Sequence, residues 1–187
     1  MDYREDLQKY LEEEIRVIKS LDLSSINDVM NILEDARKTA KKIFICGNGG
    51  SAATASHFCC DFNKGISENQ DVKYNFECLN DNIPTMMAVA NDFSYDEIFR
   101  IPLKNKMKKG DLFIGISGSG NSKNVVNAME YAKSIGGTTV AIVGYSGGKL
   151  KEMADYIIHV DINNMQISED VHMIMDHLMM YVLSHSK

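Results

Sequence analysis

Two groups of imidazoles and carboxylates stand out along the chain. His57 and Asp61 lie four residues apart in a stretch of helix-favouring composition, a spacing that puts both on one helix face. Near the C-terminus, Glu169, His172, Asp176 and His177 share a second helical stretch. Glu169 and His177 differ by eight positions, about 80° around an ideal helix, so both can flank one site. His172 and Asp176 align more closely, as an intrahelical hydrogen bond would require. A mixed set of two imidazoles and two carboxylates suits zinc or a similar divalent metal. The same groups equally suit an acid and a base for proton transfer. Structural readings compete: His57 and Asp61 make an ordinary solvated surface pair if the two helices never meet, and spacing alone does not bring them together.

Two glycine- and serine-rich turns supply the other chemistry. Around the first, Lys42–Cys60 reads KIFICGNGGSAATASHFCC: a short apolar run with strand-like residues, then Gly47-Asn48-Gly49-Gly50-Ser51, then a helix opening at Ala52. A strand, a tight turn and a helix start let backbone N–H groups face an anion, with Ser51 able to cap the helix or donate to a phosphate. The second turn, Ser117-Gly118-Ser119-Gly120-Asn121-Ser122, follows the strand-like DLFIGIS and offers three hydroxyls. Hydroxyls and amides without a nearby Lys or Arg suit the monoester phosphate of a small molecule. There is no P-loop Gly-Lys-Ser/Thr and no dinucleotide fingerprint. A capped serine-rich turn without a ligand is the alternative at each position.

The elements that must carry these residues alternate. Tyr3–Leu21 and Ile26–Lys38 show apolar positions at helical spacing. Strands are expected at Ile43–Cys46, Lys73–Leu79, Asp111–Ser117, Thr138–Gly144 and Tyr156–Asp161. Asn63–Asp71 reads as a loop, Pro84 as a helix start, and Tyr95–Lys106 as a helix broken or kinked at Pro102. Helices follow at Lys123–Ile135, Lys149–Ala154 and Ser168–Leu183. This pattern gives an α/β sandwich around a mostly parallel sheet, with ligands beyond the carboxyl ends of its strands. Two helices before the first strand are more than such a sheet needs, and their apolar faces could cover it or meet another subunit.

At 187 residues the chain suits one domain, residues 1–187, with its own core. A formal charge of −6 argues against nucleic acid or an acidic membrane surface as partner. No apolar run approaches membrane-spanning length, and the charged N-terminus lacks a signal peptide. Cys46, Cys59, Cys60 and Cys78 lack zinc-site or redox-motif spacing and read as buried free thiols. A cytoplasmic protein is expected.

Taken together, CGNGGSAATASHF at Cys46–Phe58, ANDFSYDEIF at Ala90–Phe99, GDLFIGISGSGNSKNV at Gly110–Val125 and VGYSGGKL at Val143–Leu150 resemble the SIS (sugar isomerase) domain, and within it the phosphoheptose isomerase group. The resemblance runs over nearly the whole chain. It implies a flavodoxin-like three-layer α/β/α sandwich with a five-stranded sheet, and a homotetramer joined partly through helices within residues 1–40. Active sites would lie at subunit interfaces. It also implies an aldose–ketose isomerase that interconverts sedoheptulose 7-phosphate and D-glycero-D-manno-heptose 7-phosphate through an enediol. Family substrate contacts match Asn48, Gly49, Gly50, Asn91, Asp92, Ser117, Ser119 and Ser122, and we add Ser51, Asp61, Gly118 and Glu169 to the expected contacts. Metal positions, for a divalent ion taken as zinc, match His57, Asp61, Glu169 and His177. Asp61 is expected as the base and His177 as its acid partner.

The chain departs from the family pattern in several places. Asp61 stands where the family has glutamate and Glu169 where it has glutamine. Ile167-Ser168-Glu169-Asp170 lacks the family arginine, and Gly118 replaces a threonine. These differences leave room for two other readings. One is a non-catalytic SIS protein that holds a phosphosugar or a protein partner, like the replication-initiator-associating relatives. The other is an isomerase for another ketose phosphate.

Overall fold

The computed structural model describes residues 1–185. Five strands, β1 (Ile43–Cys46), β2 (Phe76–Cys78), β3 (Leu112–Ser117), β4 (Thr138–Val143) and β5 (Tyr156–His159), form one sheet in the order β2-β1-β3-β4-β5. All four neighbouring pairs are parallel, so the sheet is wholly and not mostly parallel. This is the flavodoxin-like strand order. From β1 the chain crosses to β2 on one side and then returns to β3 on the other. The crevice this leaves beyond the carboxyl ends of β1 and β3 is where ligands of such sheets bind. Both glycine-rich turns leave the sheet there, with Cys46 registered against Gly115 and Ser117 against Val143.

Alternation along the strands builds two cores. Ile43, Ile45, Ile114, Ile116 and Ile142 face one side, where they pack with Leu33, Phe58, Val171 and Met175. These come from helices α2 (Leu23–Lys38), α3 (Gly50–Cys60) and α8 (Met165–His185). Phe44, Cys46, Phe113, Ala141 and Val143 face the other, with Val89, Leu103, Val125 and Leu150. Those belong to α4 (Ile83–Asp92), α5 (Arg100–Lys106), α6 (Lys123–Ser134) and α7 (Gly148–Met153). The two N-terminal helices divide their tasks. Ile26, Val29, Leu33 and Ala36 of α2 are buried, whereas α1 (Arg4–Lys19) buries only Val17 and leaves Leu7, Leu11 and Ile15 at least half exposed.

Three local expectations change. The segment expected as a loop from Asn63 instead continues α3 as a π-helical turn, Asp61–Ile66, and a 3-10 turn, Ser67–Asn69. Phe58, Phe62 and Ile66, four residues apart, are all buried; Phe62 stacks on Phe58 at 5.7 Å and meets Phe76 at 4.7 Å between ring centroids. Their burial holds the backbone helical despite its polar composition. The N-cap of α3 is Gly49, with φ of 56° and no side-chain cap, so Ser51 lies inside the first turn. Nothing crowds a Cβ at Gly49, and the positive φ alone calls for glycine. Finally, the break expected at Pro102 falls at Ile98–Phe99, before α5 begins. Pro102 sits in the first turn of α5, where its missing N–H has no intrahelical acceptor.

Candidate active site

The two imidazole–carboxylate groups meet because α3 and its π-helical extension pack along α8. His57 Nε2 lies 3.0 Å from His177 Nε2, across 120 residues of sequence, and the rings meet edge to face at 5.1 Å. Asp61 Oδ2 is 3.6 Å from His57 Nε2. One ligand atom from each of His57, Asp61, Asp176 and His177 lies within 4.8 Å of all the others. The same-face spacing of His57 and Asp61 thus becomes a cluster once α8 brings His177 over it.

Glu169 lies elsewhere. Its carboxylate packs on the backbone of Gly50, so closely that a Cβ there would meet Oε2 at 2.3 Å. It faces a small cavity of about 130 Å³ lined also by Asn48, Ser51, Ser117, Ser119 and Ser122. Of the expected metal ligands, His57, Asp61 and His177 are brought together, and Glu169 is turned to the anion-type turns instead. Asp176, aligned on α8 with His172 in the sequence, fills out the four-membered cluster.

The second turn is held open by contacts of its own. Ser117 Oγ lies 3.0 Å from Ser122 Oγ, and the Gly120 N–H donates to the Ser117 carbonyl. Gly120 has φ of 65°, and a Cβ there would meet the Gly147 carbonyl oxygen at 1.8 Å, so no other residue fits. Gly118 lines the cavity with the serines. The side chain of Asn48 exchanges amide hydrogen bonds with Asn124 at 2.8 and 2.9 Å and accepts one from the Tyr95 hydroxyl at 2.9 Å. Asn124, nearly fully buried, and Tyr95 are the positioning residues that the sequence did not single out. Their partner lies 76 and 47 positions away, so although both fall inside the quoted motifs, no local spacing ties either to Asn48. Asn91 and Asp92, at the end of α4, are exposed and bonded to each other, and neither lines the cavity.

On the inner face of α8, Ser168, His172 and Asp176 form a polar column. All three are fully buried, and none of their side-chain polar atoms has a hydrogen-bond partner among the described residues. The intrahelical bond expected between His172 and Asp176 is therefore absent. Burial pushes the His172 imidazole down to about 4, opposed by the nearby Val143 backbone and aided by His159. Burial, with a contribution from the Asp61 charge, pushes the Asp176 carboxyl up to about 8.

These residues fit a divalent metal. The ligands of a tetrahedral zinc stand roughly 3.3 Å apart, close to the 3.0 and 3.6 Å separations at His57. The buried carboxylate of Asp176 has no other partner to satisfy it. At the cavity, the two serine- and glycine-bearing turns and the α3 N-terminus offer hydroxyls and a favourable helix-dipole end for an anion. Glu169 opposes that anion by its own charge. Replacing Glu169 with Gln should therefore raise affinity for inorganic phosphate roughly tenfold at low ionic strength, read by calorimetric titration; unchanged affinity would remove Glu169 from the anion site.

Comparison with known proteins agrees with this geometry. The sequence profile of the SIS domain family matches residues 2–144. The phosphoheptose isomerase of Akkermansia muciniphila is 37% identical over 153 residues, covering 82% of this chain and 80% of that protein. The phosphoheptose isomerase of Sulfurimonas denitrificans is 33% identical over 190 residues, covering 92% of each chain. Among solved structures, phosphoheptose isomerase GmhA of Neisseria gonorrhoeae superposes with a TM-score of 0.89 at 26% identity, covering 97% of this chain and 98% of that one.

Proposed function

The chain belongs to the SIS domain family, and we propose that it is a phosphoheptose isomerase: an aldose–ketose isomerase that interconverts sedoheptulose 7-phosphate and D-glycero-D-manno-heptose 7-phosphate. The observation that carries this reading is the 3.0 Å approach of His57 to His177, with Asp61 beside them, on α3 and α8, the helices that also carry Ser51 and Glu169 to the phosphate-sized cavity. A chain that merely held a phosphosugar would need the cavity but not this cluster.

The reaction moves a proton between the carbons flanking a carbonyl and another between their oxygens. The phosphate ester is read into the cavity of Ser117, Ser119 and Ser122, with Asn48 held by Asn124 and Tyr95 to meet the sugar hydroxyls. Gly49, Gly50, Ser51 and Gly118 supply close backbone approach there. Asp61 takes the carbon proton and returns it to the neighbouring carbon, and His177 serves the oxygens. Asp61 is one methylene shorter than a glutamate, and a displacement of about 1 Å can cost roughly 100-fold in rate, so its reach selects which sugar carbon it serves. Asn91 and Asp92, exposed at the end of α4, remain expected substrate contacts of a subunit-interface site. His57, Asp61 and His177 would hold a divalent ion, read as zinc, which when bound polarises the sugar carbonyl.

The decisive assay is isomerisation of a panel of ketose phosphates, followed by mass spectrometry or a coupled reaction, with and without chelator. Turnover of the seven-carbon sugar supports the reading. Phosphate binding without turnover of any sugar would leave a ligand-holding SIS protein.

We also read the assembly as a homotetramer in which the whole chain acts as one domain. The apolar row Leu7, Leu11 and Ile15 on α1 supports this, exposed at 62, 51 and 50%. Light scattering should give four times the 21.0 kDa chain mass, and Leu11→Glu should lower both mass and turnover; a variant that stays tetrameric would remove α1 from the interface. Of the four cysteines expected to be buried, Cys60 is exposed, and the buried free thiols of Cys46, Cys59 and Cys78 suit a reducing cytoplasm.

A further inference from the structure

Asp176 is the group at this site for which proton transfer has no use. It lies on the inner face of α8, fully enclosed, and neither carboxylate oxygen has a hydrogen-bond partner among the described residues. The charge that bears on it is Asp61, of the same sign. A carboxylate enclosed without a donor or a cation is costly to the fold.

We propose that Asp176 is a ligand of the divalent metal, completing with His57, Asp61 and His177 a set of two imidazoles and two carboxylates, while Glu169 stands outside the coordination sphere. Two observations carry this independently. The ligand atoms of those four residues already lie within 4.8 Å of one another, so a small inward adjustment brings them onto one ion. Asp176 is also the member with no other partner, which a cation would supply. Glu169 is engaged elsewhere, its carboxylate against Gly50 at the mouth of the anion cavity.

Charge supports the same assignment. Two carboxylates neutralise a divalent ion in a site that is partly closed to water. A third from Glu169 would leave a net negative site beside a phosphate. With two oxygen donors beside two nitrogen donors, the site takes manganese and ferrous iron as well as zinc. Successive positions on α8 turn by about 100°, so Asp176 can approach from the core side while His177 approaches from the solvent side. The inference rests on the metal cluster of the proposed function and not on the identity of the sugar.

The test is titration of metal-free protein with zinc alone, in competition with a chromogenic chelator, for the wild type, Asp176→Asn and Glu169→Gln. Asp176→Asn should weaken zinc binding by at least roughly 100-fold, beyond the 10–100-fold that changes outside the coordination sphere bring. Glu169→Gln should stay within about threefold of the wild type, since its side chain makes no metal contact. Equal affinity in the wild type and Asp176→Asn, or as large a loss in Glu169→Gln, overturns the assignment. Anomalous scattering from the zinc-loaded wild type covers the case in which the Asn variant does not fold. A carboxylate oxygen of Asp176 should then lie roughly 2.0–2.2 Å from the metal, and a side chain turned away overturns the proposal. Isomerisation is measured separately on the same loaded protein. Zinc held by Asp176 without turnover of any ketose phosphate would remove the isomerase reading and leave this one standing.

Discussion

Asp61→Asn and His177→Ala should each lower kcat for heptose phosphate isomerisation by roughly 10³-fold or more, while binding of inorganic phosphate stays within a few-fold of the wild type. The rate loss follows from the task assigned to each group. A positioned acid or base contributes typically 10²–10⁴-fold, and the amide of Asn has no basicity with which to take a carbon-bound proton. The retained phosphate binding follows from the layout, since the serine-lined cavity contains neither Asp61 nor His177. Asp61→Asn is the sharper variant, because it keeps the side chain's size and an oxygen that can still face a cation. Loss of metal and loss of the base separate on adding saturating zinc: a metal defect recovers and a missing base does not. Turnover by Asp61→Asn within about threefold of an active wild type would dismiss Asp61 as the base.

Metal-free protein should lose about 3 kcal/mol of stability through His172 as the pH falls from 6.5 to 4. The folded imidazole is depressed to about 4 from an ordinary 6.5, and a tenfold change in proton affinity is worth about 1.36 kcal/mol. The sign follows from proton uptake. The unfolded chain binds a proton at His172 below about 6.5, while the folded chain resists until about 4, so acid favours unfolding throughout that window. Above 6.5 the imidazole is neutral in both states and contributes nothing to the slope. The ring is fully buried with Ser168 and Asp176 four positions to either side on α8, and with His159 and the Val143 backbone bearing on it. Asp176 has the opposite sign. Its carboxyl is raised to about 8, so in the absence of metal its contribution is fully present below about pH 4 and is lost as pH rises through 8. Melting His172→Gln beside the wild type in chelator, from pH 4 to pH 7, isolates the imidazole. Asp176 contributes equally to both proteins, so stability of the variant relative to the wild type should rise by about 3 kcal/mol as the pH falls from 6.5 to 4, and parallel curves would contradict the account.

Much of the fold was legible in the chain itself. Ile43-Phe44-Ile45-Cys46 alternates between two cores with the period-two rule that any half-covered strand obeys. β1, β3 and β4 were placed within one residue because their apolar β-branched runs end in glycine turns. The local misreading at Asn63–Asn69 has a definite cause. Polar residues there outnumber the buried Phe62 and Ile66, and the aromatic packing that keeps the backbone helical comes from Tyr74 and Phe76, on the far side of the turn. At the site, His57, Asp61 and His177 were named from residue type and helix spacing, whereas Asn124 and Tyr95 were not. A hydrogen-bond partner tens of positions away leaves no trace in local pattern.

The sequence by itself determined the strand–turn–helix units, the two anion-type turns and the residue types available for proton transfer, because dihedral preferences and side-chain periodicity act over a few residues. Only the tertiary structure decided that His57 meets His177, and that Asp176 rather than Glu169 turns toward them. Neighbouring helix positions differ by about 100° in direction, and which of those directions faces α3 is set by how Val171, Met175 and Met179 pack against the sheet and its covering helices. That packing angle is a property of the whole core, and no spacing along α8 records it.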